Sequence, residues 1–244
     1  MAEPADEAAA LESRSAARTG WAVGVATATY GVSFGALAVA AGLDVWQTCV
    51  LSLVMFSGGS QFAVVGVLAA GGVAAGPSAI ASAALLGARN SLYGIRVKPL
   101  VGSGFWRQVA AAWITIDEST AVATAQQSPR ARSVGFWVTG LVVFVGWNLT
   151  TLVGALIGDS IGDVSAWGLD AAAAAAFLGL LWPRLRRLQP VVVAIGAAVV
   201  ATVLTPWLQP GLPVLIAAAV AVVFGVTNLF GSPAREVDDG GGAA

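Results

Sequence analysis

The chain has 244 residues, of which 57% are hydrophobic and 10% are charged, and its mean hydropathy is +0.82. Such a composition leaves too few polar side chains to cover a soluble domain, so we expect a membrane protein. The net charge of -1, without a basic face, excludes a nucleic-acid-binding protein.

The inventory of reactive side chains argues against an enzyme. The chain has no histidine and one cysteine, Cys49, which cannot form an internal disulfide. Neither a cluster of metal ligands nor a haem attachment motif nor a nucleotide-binding loop is present in the sequence. We therefore predict no cofactor, no metal site and no enzymatic activity.

Uncharged apolar windows recur along most of the chain. A transmembrane helix needs roughly 20 apolar residues, and the windows are continuous rather than alternating in polarity, which favours helices over a barrel. We therefore predict an all-α integral membrane protein, a polytopic bundle of seven or eight transmembrane helices. The clear windows are 21–41, 46–71, 77–95, 135–157, 190–207 and 211–230, and the weaker ones are 105–127 and 168–183.

The two ends of the chain differ from the middle. Residues 1–20 mix acidic and basic side chains and form a polar tail, with no cleavage pattern of a removable signal peptide. Residues 21–231 form the predicted transmembrane transporter domain, and the acidic, glycine-rich residues 232–244 are expected to be disordered. Both span counts place the Arg184, Arg186 and Arg187 cluster and the C-terminus in the cytoplasm, whereas the side of the N-terminus stays open.

The second span is interrupted by small and polar residues between Phe56 and Phe62. Interrupted helices at membrane depth form substrate sites in many transporters, and a glutamine is more polar than helix packing requires. The alternative is close helix packing, which is our interpretation of the Gly31 and Gly35 pair and of the Gly154 and Gly158 pair. The candidate substrate residues are Ser57, Gly58, Gly59, Ser60 and Gln61.

The third span ends in a polar segment that contains Arg89, Asn90 and Tyr93. If spans three and four form a hairpin, Arg89 lies about one helical turn (~5.4 Å) in depth from Asp117. An Arg89–Asp117 pair that only neutralises two buried charges is the structural alternative to a transport role.

Two adjacent acids, Asp117 and Glu118, stand in the middle of the weak window 105–127. Ionisable residues at membrane depth are costly and are usually retained for function. Adjacent helical residues point about 100° apart, so Asp117 is expected to line one stripe, polar after its first member, with Trp113, Thr120, Thr124 and Gln127. Glu118 is expected on a drier face, where a desolvated carboxylate favours its neutral form, which makes it a candidate proton carrier.

These motifs together resemble the AzlC-type branched-chain amino acid exporters, the LIV-E family, from about residue 20 to residue 228. Asn148, within one of the motifs, completes the candidate site residues. Where the family has an Asn-x-Arg-His pattern, this chain has Gly87-Ala88-Arg89-Asn90. The resemblance rests on Gly31-Val32-Ser33-Phe34-Gly35, Phe56 to Phe62, Arg89 to Gly94, Thr115-Ile116-Asp117-Glu118-Ser119, Trp147-Asn148 with Thr151 and Gly154, and Gly168-Leu169-Asp170 before Phe177.

The resemblance implies export of small apolar amino acids, such as branched-chain amino acids, across a bacterial inner membrane under an ion gradient. It also implies a small AzlD-type membrane subunit of about four spans as a partner in the lipid bilayer. Composition and spacing alone support only a multi-span carrier with intramembrane acids and a broken helix. A channel or carrier for another small solute, and a membrane scaffold subunit, remain the alternatives.

Overall fold

The computed structural model describes residues 4–161 and 188–227, and between them only residues 175, 178–179, 181–182 and 185–186. These residues form α-helices and one short 3₁₀ helix, with no strand among them, which confirms the predicted all-α class. The helices are α1 Pro4–Ala28, α2 Tyr30–Ala40, α3 Val45–Val54, α4 Gly58–Gly71, α5 Gly76–Val101, α6 Phe105–Trp113, α7 Asp117–Thr124, α8 Pro129–Ile161, α9 Leu188–Leu204 and α10 Leu212–Thr227.

The chain divides into two compact units. The first is Met1–Leu178 together with Gln209–Gly211, and the second is Gly179–Leu208 together with Leu212–Ala244. The second unit contains α9 and α10, which pair through a hydrogen bond of 3.0 Å from the Gln189 side chain to the Phe224 carbonyl. All the candidate site residues lie in the first unit. The Gly168-Leu169-Asp170 motif, Arg184, Arg187 and the tail 232–244 lie outside the described residues, and so does most of the weak window 168–183.

Two helical stretches of the described residues, Asp6–Ala40 and Pro129–Ile161, are long and apolar enough to cross a membrane. The first contains α1 and α2 and includes part of the polar tail. The other apolar helices are shorter, at 10 to 17 residues. Helix α5 has 26 residues and is therefore about 39 Å long, but it carries Arg89, Arg96 and Lys98.

The stretch α1–α2 packs side by side with α8, and the two run in the same direction. Gly20 lies against Thr139, Gly35 against Thr151, and Gly158 against Ala36. A Cβ at Gly35 or Gly154 would overlap backbone atoms of the opposite helix, so glycine is needed for this close approach. The packing role predicted for these small residues is confirmed. In the first unit we call the end where α8 begins the amino end and the end where α8 finishes the carboxyl end.

The first hairpin, α3 with α4, enters from the carboxyl end. Helix α3 is capped there by Asp44, which accepts a 2.7 Å hydrogen bond from the Gln47 backbone N–H. Its last turn reaches the middle of α8, where the Ser52 hydroxyl is 3.5 Å from that of Thr151. Residues 55–57 are not helical, and α4 starts at Gly58.

Helix α4 then returns to the carboxyl end, as the course of α5 shows. Val67 near the end of α4 packs against Ala79 in the first turns of α5. At the other end of α5, Val97 packs with Phe136 near the start of α8. Because α5 is about 39 Å long and finishes at the amino end, its start and the end of α4 lie at the carboxyl end.

The second hairpin, α6 with α7, enters from the amino end. Near the start of α6, the Arg107 guanidinium lies over the Trp137 ring of α8, 5.6 Å from its centroid. Helix α6 ends at Trp113, whose indole N–H donates a 2.9 Å hydrogen bond to the Leu53 carbonyl of α3. Helix α7 returns to the amino end, where Val122 lies against Gly135. The tips of the two hairpins therefore meet halfway along the unit.

This arrangement corrects two of the predicted spans. The windows 46–71 and 105–127 are each a pair of short helices with a break, so neither is a single continuous helix. The interrupted helix predicted in the first window is confirmed, although the non-helical residues are 55–57, and Gly58 to Gln61 form the first turn of α4. The break in the second window was not predicted. Hydropathy registers an apolar segment but does not distinguish one crossing from two halves of a re-entrant hairpin.

The hairpins make a prediction about sidedness. In a background with Cys49→Ala, Val73→Cys should react with a membrane-impermeant maleimide from the same side as Ser160→Cys. Ser103→Cys should react from the same side as Arg130→Cys, because both lie at the amino end. Labelling of intact cells and of inverted vesicles measures the side. If 46–71 and 105–127 each crossed the membrane, the cysteine at position 73 would instead be labelled from the same side as that at position 130. The cysteine at position 103 would be labelled from the same side as that at position 160.

Candidate functional site

A cavity of about 880 Å³ lies beside the tip of the first hairpin. Helices α3, α4, α5 and α6 form its walls, and small or apolar side chains such as Ala84, Gly87 and Val109 cover most of them. Of the predicted site residues, Ser57, Ser60 and Asn90 line it. The cavity is therefore an open, largely apolar space with a few hydroxyl and amide groups in its lining.

Gln61 lies behind this cavity in the packed interior and is 0% exposed. Its side-chain amide donates hydrogen bonds to the carbonyls of Met55, at 2.8 Å, and Ser52, at 3.3 Å. Its side-chain oxygen accepts a 2.8 Å hydrogen bond from the Trp147 indole N–H. Gln61 thus satisfies the carbonyls left open where α3 ends, and in this structure it does not face the cavity as the sequence-based interpretation supposed.

Aromatic rings hold this arrangement in place. Phe34 stacks on Trp147 with ring centroids 6.3 Å apart, and Phe62 meets both rings edge to face. A Cβ at Gly58 would lie 3.3 Å from the Trp147 ring, so the first residue of α4 packs directly on the indole. The tip of the first hairpin is therefore fixed by packing as well as by hydrogen bonds.

The predicted pair of Arg89 and Asp117 is present. The guanidinium Nη2 lies 2.9 Å from the Asp117 carboxylate, and the two side chains are 35% and 30% exposed. Nη2 would also lie 3.0 Å from a Cβ at Gly59, so this glycine gives the guanidinium room. The ion pair joins α5 to the second hairpin beside the start of α4, outside the lining of the cavity.

Asp117 and Glu118 do not stand in the middle of a continuous helix. They are the first two residues of α7, where the helix dipole favours negative charge. The predicted stripe therefore holds only from Asp117 through Thr120 to Thr124, and Trp113 belongs to the other arm of the hairpin. Both acids are half-buried.

At the second break, between α6 and α7, nearby hydroxyl groups form hydrogen bonds with the open backbone groups. The Ser119 hydroxyl donates a 2.8 Å hydrogen bond to the Ile114 carbonyl and accepts one of 3.1 Å from the Ile116 N–H. The Thr115 hydroxyl donates to the Ala111 carbonyl at 2.6 Å. Such internal partners are required where the surroundings supply no water.

The remaining predicted residues lie near these features. Tyr93 is one turn beyond Arg89 on α5, and it is half-buried. Asn148 follows Trp147 on α8, and its amide donates a 2.7 Å hydrogen bond to the Phe144 carbonyl. Among the described residues, no group of three or more histidine, cysteine or carboxylate side chains could hold a metal ion.

Sequence reasoning missed Trp113 as part of the site. Trp113 lines the cavity and bonds to α3. Most of the other tryptophans fall near the ends of predicted spans, as interfacial anchors do. The position of Trp113 in the middle of the window 105–127, away from either predicted end, was the signal in the sequence that could have identified it.

A family model described as "AzlC protein" matches residues 22–161, which is more than half of the chain. The chain belongs to the AzlC family. The resemblance inferred from the motifs is confirmed, and the matched AzlC segment runs from within α1 to the end of α8 and contains both hairpins, the cavity and the ion pair. AzlC proteins are membrane transport proteins, so the chain is a membrane protein with a transport-related function. No curated protein and no solved structure matches the chain.

The interior position of Gln61 predicts that its replacement destabilises the protein. Gln61→Leu should lower the free energy of unfolding by about 3 kcal/mol or more, because it orphans the Trp147 indole N–H and two carbonyls. The yield of monodisperse protein and its melting temperature in detergent measure the effect. The double variant Gln61→Leu/Trp147→Phe should regain part of the loss, since the orphaned donor is gone. An unchanged melting temperature for Gln61→Leu would contradict this role.

Proposed function

We propose that this AzlC protein is a secondary transporter subunit that exports branched-chain or other small apolar amino acids across the bacterial inner membrane. The observation that carries the proposal is the cavity at the tip of the first hairpin. Its walls suit an apolar side chain, whereas Ser57 and Asn90 in its lining offer polar partners. The Ser60 hydroxyl already donates to the Ala83 carbonyl at 2.9 Å. Hairpin tips and helix breaks at mid-depth are where transporters bind small solutes.

The start of α4 supports an α-amino acid as the substrate. The first N–H groups of a helix have no partner within the helix, and Ser57, which precedes α4, makes no capping hydrogen bond through its side chain. A substrate carboxylate bound beside Ser57 would lie near the positive end of this helix dipole. The apolar walls of α5, such as Ala84 and Ala88, would then face the substrate side chain.

The charge distribution supports one orientation in the membrane. The hairpins place every Lys and Arg residue of 4–161, except Arg89 in the middle, in the half of the first unit toward the amino end. By the positive-inside rule this end faces the cytoplasm, with the N-terminus on that side, and the first hairpin opens toward the outside. The Lys and Arg residues in the half toward the amino end are Arg14, Arg18, Arg96, Lys98, Arg107, Arg130 and Arg132.

Ion coupling is assigned to the acids of α7. Asp117 is paired with Arg89 at 2.9 Å, whereas Glu118 next to it is half-buried and is free to exchange a proton without breaking that pair. In a chain without histidine, a carboxylate is the remaining side chain suited to a proton-driven cycle.

An AzlD-type subunit is the proposed partner, and it is tested together with the function. Cells that express this chain with and without an AzlD-type subunit would be loaded with labelled leucine, and efflux would be followed. We expect full efflux only with both proteins. Efflux of an unrelated solute instead of any amino acid would favour the carrier for another solute, and no efflux of any solute would favour a scaffold subunit.

Cavity filling tests where the substrate binds. Ala84→Phe places a ring in the cavity, so it should lower leucine efflux about tenfold or more, equivalent to about 1.4 kcal/mol, without loss of folded protein. Ala81→Phe is the matched control, because Ala81 is exposed on the same helix but does not line the cavity. Equal efflux in the two variants would place the site elsewhere.

Replacement of the acids tests the coupling. Glu118→Gln mimics the protonated acid, so it should abolish accumulation driven by a pH gradient while exchange of amino acids across liposomes persists. Asp117→Asn should instead leave Arg89 as an unpaired intramembrane cation and lower the yield of folded protein, and Arg89→Gln in the same chain should restore it. Accumulation at the wild-type level in Glu118→Gln would show that Glu118 does not carry the proton.

A further inference from the structure

Helix α6 is the least embedded wall of the cavity. Of its residues Phe105 to Trp113, Ala111 is buried, whereas Phe105 and Trp106 are 71% and 79% exposed. Yet α6 contributes Val109, Ala112 and Trp113 to the lining. A wall that closes a cavity while burying few of its own side chains depends on the contacts at its ends.

At its amino end α6 is held by the contact between Arg107 and Trp137 and by the packing of Ala111 against Val97 and Val101. At its tip it is held by the hydrogen bond from the Trp113 indole to the Leu53 carbonyl, at 2.9 Å, and by Ile114, which is buried against Gly140 of α8. This bond connects the second hairpin directly to the first.

The Leu53 carbonyl is one of the last carbonyls of α3, which have no partner within the helix. Its neighbours are satisfied from within the first hairpin: the Ser52 and Met55 carbonyls accept from Gln61, and the Leu51 carbonyl accepts from the Met55 N–H. The partner of Leu53 comes from the other hairpin. Breaking this bond would therefore release the Trp113 ring from α3 without opening the break in α3–α4, while Ile114 keeps the end of α6 on α8.

We propose that Trp113 is a positioning residue that latches the α6 side of this open cavity, and that its bond to Leu53 must open for a solute to pass toward the amino end. The latch rests on the proposed function only for its consequence in transport, because closure of the cavity is measurable without any transport. The bond suits a reversible latch. A single indole N–H to a carbonyl is worth about 0.5–1.5 kcal/mol net, so it opens readily and closes without a large barrier.

The test uses Ser57→Cys as a reporter in a Cys49→Ala background, since Ser57 lines the cavity and is 7% exposed. Trp113 is replaced by benzothienylalanine, which keeps the shape of the ring and has sulfur where tryptophan has N–H. We expect a water-soluble maleimide applied from the amino end to label the reporter about tenfold faster than with tryptophan at position 113. The same replacement of Trp106, also on α6 and 79% exposed, is the matched control and should leave the rate unchanged.

Equal labelling rates in the Trp113 and Trp106 variants would overturn the latch. If the benzothienylalanine protein does not fold, Trp113→Gln and Trp113→Leu replace it, because glutamine keeps an N–H donor and leucine does not. Slow labelling in the glutamine variant and fast labelling in the leucine variant would support the latch, and equal rates would overturn it.

Leucine efflux, measured with the partner present in the chain that keeps Ser57 and Trp113, separates the latch from the proposed function, because Ser57 belongs to the proposed substrate site. Faster labelling of the Trp113 variant, together with no amino acid efflux by the chain that keeps both residues, would support the latch and refute amino acid export. Normal leucine efflux with labelling that does not respond to position 113 would refute the latch and leave export standing.

Discussion

A backbone that breaks in the middle of an apolar bundle must find hydrogen-bond partners within the protein, and the rest of this structure depends on how that is done. At the first break Gln61 donates to two carbonyls and accepts from Trp147. At the second break, the hydroxyls of Ser119 and Thr115 form hydrogen bonds with the backbone groups left open. Because each unpaired group would cost several kcal/mol without water, these few side chains decide whether either hairpin can form.

The sealed breaks allow two hairpins to enter from opposite ends and meet near the middle of α8. This geometry explains why the cavity and the Arg89–Asp117 pair lie beside each other. Helix α5 passes both tips, so one of its faces lines the cavity with Ala84 and Gly87 while Arg89 turns to α7. Asn90, which lines the cavity, and Arg89, which pairs with Asp117 of α7, are thus neighbours on one helix.

The close contact of α1–α2 with α8 provides the rigid frame on which the hairpins are mounted. The two run in parallel over glycines, and α7 lies against the part of α8 near the amino end, whereas α3 lies against its middle and farther part. The tips of both hairpins also pack on α8, the first through Gly58 on the Trp147 ring and the second through Ile114 on Gly140. Within the second hairpin, α6 buries fewer of its side chains than α7 does, so α6 is the less firmly held arm.

The sequence by itself determined the helical membrane class, the family and the interruption near Ser57, and it raised the pairing of Arg89 with Asp117 as one alternative. Each of these depends on local composition, on ordered motifs or on the cost of a buried charge, which can be read without coordinates. Only the tertiary structure decided that the windows 46–71 and 105–127 turn back rather than cross, and that Gln61 faces the packed interior while Trp113 faces the cavity. Those outcomes depend on which distant groups, Trp147 for Gln61 and Leu53 for Trp113, satisfy the open ends of a broken helix, and apolarity along the chain carries no information about such partners.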